Sequence, residues 1–243
     1  DLYSAIHMTA KDRIYTMSAD ENVDKNLGTM QGENATLTVQ ANNKNVIGNN
    51  YEGVQINDDD TFTIVNVAAW TGFDGIAINN NGTLNIKAID NNSTFSEIIQ
   101  NDNKLNLYGD KNITFQDKVQ GNGTTTIDED ANAIFLNDLE QNNLSIVEGS
   151  LKINASNLKI QNDINNAGTI ILNGGTLDNN ILGLGNIELS ENTQIDASVN
   201  ADTLDLKNKN ITLLNSAELN TTNILTQGSN FISSNNDKID SII

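Results

Sequence analysis

From about residue 84 the chain repeats short apolar–polar–apolar triplets: Leu84/Ile86, Leu105/Leu107, Ile113/Phe115, Ile134/Leu136, Leu144/Ile146, Leu151/Ile153, Leu158/Ile160, Ile170/Leu172, Ile187/Leu189, Leu204/Leu206 and Ile211/Leu213. A period of two places both apolar residues of a triplet on one side of an extended strand, so each predicts a short strand with one buried face. Between the triplets lie Asn79-Asn80-Asn81-Gly82, Gly121-Asn122-Gly123, Glu148-Gly149-Ser150, Asn165-Asn166-Ala167-Gly168 and Asn173-Gly174-Gly175. These are turns: Gly and Asn tolerate positive φ, and Asn and Asp side chains close turns on their own backbone. Strands start on average about nine residues apart, and nowhere does the i, i+3, i+4, i+7 stripe of an amphipathic helix appear. The pattern predicts an all-β chain.

Three architectures use short strands at this spacing. A sandwich or barrel favours longer strands of about five or six residues joined by tight hairpins. A leucine-rich repeat is hinted at by Leu151-Lys152-Ile153-Asn154 with Leu158-Lys159-Ile160, but the phrase does not recur at the required period. A parallel β-helix accommodates the rest, with three strands and three turns per coil of about 20 to 30 residues and coils stacked about 4.8 Å apart. Ten or so such coils are expected, over residues 46–243. Residues 1–45 lack the alternation until Ala35-Thr36-Leu37-Thr38-Val39 and are expected to form an irregular N-terminal cap or a poorly ordered segment.

Composition adds a reason for stacking. Of 243 residues, 44 are asparagine. One coil buries too few Leu, Ile, Val and Phe side chains to offset its own ordering entropy, so stability has to come from neighbours. Asparagines at equivalent positions of successive coils can pair amide to amide along the rod. There are 13 Lys+Arg against 32 Asp+Glu, a formal net charge of −19, and Arg13 is the sole arginine. Such a chain repels phosphate backbones, so nucleic acid is not an expected partner. With no cysteine and only His7 as imidazole, thiolate and histidine metal sites and thiol nucleophiles are excluded. No apolar run approaches a membrane span, and no membrane insertion by this segment is expected.

Candidate chemistry is sparse. Asp58-Asp59-Asp60 and Asp128-Glu129-Asp130 offer carboxylates to calcium, but adjacent acids lack the alternate spacing of an EF-hand loop and read as solvated turns. Paired carboxylates could hydrolyse a neutral glycan, yet nothing marks a particular pair. No catalytic residue, metal or cofactor is therefore expected. Val67-Ala68-Ala69-Trp70-Thr71-Gly72-Phe73-Asp74-Gly75 holds the only tryptophan. Trp70 and Phe73 are candidate contact residues if this stretch loops out of the rod, and core residues if it does not. Asn-x-Ser/Thr triplets follow from the Asn content and the Thr-after-turn habit and carry no glycosylation signal.

The phrases Asn80-Asn81-Gly82-Thr83-Leu84-Asn85-Ile86, Asn166-Ala167-Gly168-Thr169-Ile170-Ile171-Leu172 and Gly174-Gly175-Thr176-Leu177 carry a Gly-Thr-Leu/Ile turn-into-strand signature. In this and in its Asn- and Ile-rich texture the chain resembles passenger domains of rickettsial outer-membrane autotransporters, the surface antigens related to outer membrane proteins A and B. The resemblance is clearest over 75–230, weaker over 46–74 and absent before that. It implies a right-handed parallel β-helix on the extracellular face of a bacterial outer membrane, exported through the C-terminal translocator barrel of the same parent protein. It also implies an adhesin or invasion module that contacts a host-cell surface protein. A signal peptide and barrel are expected outside this segment. The alternatives are a structural coat or spacer rod without its own ligand, and a glycan-cleaving β-helix enzyme.

Overall fold

A computed structural model describes residues 14–18, 23–24, 36–48, 50, 53–233 and 236–242. Every strand pairing among them is parallel, and strands on the first two faces bond to their equivalents in the neighbouring coils. The chain is a parallel β-helix of about 10 turns. Coils take from 17 residues, Ile164 to Ile181, up to 25, Thr36 to Thr61.

Each coil has three faces. On the first, Leu37, Phe62, Leu84, Leu105, Thr125 and Leu144 stand in one inward column. On the second, Val46, Trp70, Phe95, Phe115 and Phe135 follow one another. On the third the column is Val54, Ile78, Ile99, Val119, Leu139 and Leu158. All are buried. The period-two pattern thus decides which side chain points inward, and parallel register stacks like on like.

Two expectations need correction. The triplet Ile134/Leu136 is off by one: Ala133 and Phe135 point inward, whereas Leu136 is 61% exposed. Register is the cause, since Ala133 pairs with Ile113 and Leu151, and Phe135 with Phe115, so the neighbouring coils overrule the more hydrophobic local choice. The expected domain boundary at 46 falls inside the strand Thr36–Ile47. Ile14–Ser18 pairs residue for residue with 36–40, so coil stacking extends well into the segment expected as a cap. Val23–Asp24 pairs likewise with 46–47, and the rest of 1–35 lies outside the described residues.

The expected asparagine ladders are present. Asn106 Nδ2 donates to Asn85 Oδ1 at 3.0 Å, Asn162 Nδ2 to Asn143 Oδ1 at 2.9 Å and Asn220 Nδ2 to Asn200 Oδ1 at 3.1 Å. One ladder is internal. Asn80 and Asn101 are fully buried, and Asn80 Nδ2 donates to Asn101 Oδ1 at 2.7 Å. The next coil has Gly121, whose φ is +125° and whose added Cβ would lie 2.4 Å from the Asn101 carbonyl oxygen. No side chain therefore fills that level. Gln141, two coils from Asn101, crosses it: its Oε1 accepts from Asn101 Nδ2 at 2.5 Å, and its Nε2 donates to the carbonyls of Asn101 and Gly121 at 3.3 Å each. The extra methylene of glutamine compensates for the missing rung.

The third face changes construction once. Its strands from Val54–Ile56 to Leu158–Ile160 form a separate six-stranded sheet. The 3-10 turn Ala155–Asn157 precedes the last of them, and in the following coil the face is rebuilt by 175–177. No strand ladder joins these two levels; instead Asn179 Nδ2 donates to the Ile160 carbonyl at 2.6 Å, and the Ser156 hydroxyl accepts from Thr176 N–H at 2.8 Å. Gly175 makes this possible, because at φ +87° its added Cβ would lie 2.2 Å from Asn154 Oδ1. Beyond it, 175–177, 193–195, Ile211–Leu213 and Phe231–Ile232 continue in register.

Candidate binding surface

Trp70 and Phe73 are core residues, 0% and 5% exposed, and the contact-loop expectation is corrected accordingly. Trp70 occupies an inward position of Thr61–Thr71 between Val46 and Phe95. Phe73 folds back onto the indole, with centroids 5.5 Å apart and planes at 12°. The stack continues through Phe95 at 6.4 Å, Phe115 at a further 5.5 Å and Phe135 at a further 4.6 Å. The loop leaving Trp70 is tied down by Glu97, whose Oε1 accepts from Gly72 N–H at 2.8 Å and from the Thr71 hydroxyl at 3.3 Å. Large aromatics here fill the rod interior, where they bury far more apolar area than a loop would allow.

The two acidic triplets sit at different corners. Asp58 and Asp59 are exposed and Asp60 is buried in the turn entering the first face, while 128–130 turn from the first face to the second. Glu129 and Asp130 are left-handed, with φ +49° and +60°, and Asp128 Oδ1 accepts from Glu129 N–H at 2.8 Å, a turn closed on itself. Burial first, then the charges of Asp128 and Glu129, push the Tyr108 phenol above its ordinary range. Among the described residues no three or more His, Cys, Asp or Glu side chains converge as metal ligands. Asp138 is flanked instead by Lys159 Nζ at 2.7 Å and Lys118 Nζ at 3.6 Å.

A surface that could hold a ligand lies on the third face of the last coils. A cleft of about 390 Å³ runs along the rod there. One wall is the outward column Thr176, Gln194, Thr212 and Ile232, in register across four coils. The other includes Asn192 and Asn210. Asn192 Oδ1 accepts from Asn210 N–H at 2.8 Å, Asn210 Oδ1 accepts from Asn230 N–H at 3.0 Å, and Gln194 Oε1 accepts from the Thr176 hydroxyl at 3.0 Å. The carboxamide oxygens are thereby spent on the neighbouring coil, while the three amino groups make no hydrogen bond to any described residue. No charged side chain lines this cleft. At its rim Lys209 Nζ lies 3.7 Å from Glu191.

Sequence reasoning missed this surface, although a signal existed. Asn192-Thr193-Gln194-Ile195, Asn210-Ile211-Thr212-Leu213 and Asn230-Phe231-Ile232 begin alike at spacings of one coil. A second feature is apolar. Val147, Ala167 and Leu184 occupy equivalent positions on the corner between the first and second faces and are exposed, Leu184 to 80%.

Stacked coils and a filled interior define a parallel β-solenoid, here with a polar cleft on its outside. Compared with protein-family models, curated proteins and solved structures, the chain matches none. Among the described residues no helix is long and apolar enough to cross a membrane.

Proposed function

We propose that the chain is a non-catalytic rod of a bacterial surface passenger domain, which displays its corners and faces for contact. The observation that carries this is the parallel stack that the described residues form between Ile14 and Ile242 around a filled interior, with function left to the outside. A rod built by nearest-neighbour stacking extends without a large globular core, and its acidic exterior discourages lateral association. The resemblance stated above supplies the setting: export through the translocator barrel of the parent protein, exposure on the outer face of the membrane, and contact with a host-cell surface protein. With Trp70 and Phe73 buried, that contact falls to the exposed aliphatic corner of Val147, Ala167 and Leu184. The glycan-cleaving alternative gains no support from the cleft, whose lining holds no carboxylate to act as acid or base.

Beads coated with the chain, with its Val147→Asp/Leu184→Asp variant, or with an equally acidic β-rich control test the reading on cultured epithelial cells. Saturable attachment by the parent chain, lost in the variant, is expected of an adhesin. Attachment no better than the control would leave the second reading, a spacer, which the predominantly Asn, Asp and Thr exterior favours.

A further inference from the structure

We propose that the third-face cleft formed by Thr176, Asn192, Gln194, Asn210, Thr212 and Ile232 binds an uncharged oligosaccharide lying along the rod axis. The inference does not depend on how the rod is used, so its failure would leave the proposed function standing.

Charge is the first selector. The chain carries a formal net charge of −19, so an acidic ligand is repelled. A basic ligand finds no carboxylate in the lining, and Glu191 at the rim is already beside Lys209. A neutral ligand escapes both penalties.

Backbone pairing is the second selector. An extended peptide gains affinity by adding a strand to a free edge. In the cleft the main chain is already committed from coil to coil, Thr176 opposite Gln194, Gln194 opposite Thr212, and Thr212 opposite Ile232. Only side chains remain to make hydrogen bonds, which suits a ligand that itself presents hydroxyl and acetamido groups.

The arrangement of those side chains is the third. Asn192, Asn210 and Gln194 are oriented by the bonds their oxygens accept, so their amino groups are held in place before any ligand arrives. Preorganised donors lose little rotamer freedom on binding. Equivalent groups recur at the coil spacing of about 4.8 Å, and neighbouring columns stand two residues, about 6.6 Å, apart along each strand. A polymer of hydroxyl-bearing rings meets this grid repeatedly, and Ile232, 55% exposed, offers an apolar contact to the C–H face of a ring.

The test is calorimetric titration of the full chain with neutral cello-, malto- and chito-oligosaccharides, beside an oligogalacturonate and a neutral extended peptide. Asn192→Asp, Asn210→Asp and Gln194→Glu keep the accepting oxygen that holds the coils together and remove the donor. Because the ligand is uncharged, the added charge brings no ion–ion attraction or repulsion, and each variant offers only acceptors where the parent offers a donor. At least one neutral series is expected to bind saturably, with each variant weakening it by about tenfold while circular dichroism and the melting curve stay as in the parent. The proposal is overturned if no neutral series binds, if the peptide or the acidic sugar binds as well as the neutral one, or if folded variants retain the parent affinity.

Discussion

Gln141→Asn is the substitution in which the internal ladder is most exposed to measurement. Asparagine keeps the carboxamide and shortens the side chain by one methylene, about 1.5 Å of reach. Asn101 would then lose the partner it meets two coils away, keeping for its amino group only the 3.2 Å bond to the Thr124 carbonyl. The buried Thr125 hydroxyl, 3.4 Å from Gln141 Oε1, would lose that contact as well. A buried group left unsatisfied costs about 1–3 kcal/mol, so a loss of roughly 2–5 kcal/mol is expected from these two and the displaced amide. Urea unfolding followed both by circular dichroism and by Trp70 emission gives the number. Two probes are needed because coils of a solenoid can open separately. The Asn101→Ala/Gln141→Ala pair completes a double-mutant cycle, and a coupling of about 1–3 kcal/mol is expected for groups that share one bond. Stability of Gln141→Asn within about 0.5 kcal/mol of the parent, or an additive cycle, would refute the claim that Gln141 bridges the empty level left by Gly121.

Phe115→Ala, at the middle of the aromatic stack between Phe95 and Phe135, should cost about 3–5 kcal/mol in the same assay, against under about 0.5 kcal/mol for Leu136→Ala on the exposed side of the neighbouring coil. Lys159 is held above the usual lysine range chiefly by its hydrogen bond to Asp138. A folded-state value above the unfolded one means that this contribution is fully present below the ordinary lysine value and disappears as pH rises through the raised one. Melting temperature measured across the alkaline range should therefore fall, and Asp138→Asn should flatten that fall; an identical alkaline profile in the variant would remove Asp138 as its cause.

The strands were legible because apolar residues alternate with polar ones between Asn- and Gly-rich turns, and that pattern needs no tertiary information. What was not legible is what neighbouring coils decide. Ile134/Leu136 is a better apolar pair than Ala133/Phe135 when taken alone, and only the columns above and below select the latter. Ile14–Ser18 alternates too weakly, and with too few turn residues around it, to announce that it joins the stack. Trp70 lay between two readings until the position of Phe95 opposite it was known. The cleft was hidden for a different reason. Its donors belong to ordinary turn asparagines, and their availability depends on which atom of each carboxamide the next coil uses.

In this rod the main-chain hydrogen bonds run along the long axis, so a pull on its two ends loads the coil interfaces one after another. Each interface is only as strong as the faces that cross it. Between Leu158–Ile160 and 175–177 the third face contributes side-chain bonds from Asn179 and Ser156 in place of a strand ladder. Under tension in an optical trap, that seam should yield first and divide the rod into two shorter springs, the aromatic stack in one and the neutral cleft in the other.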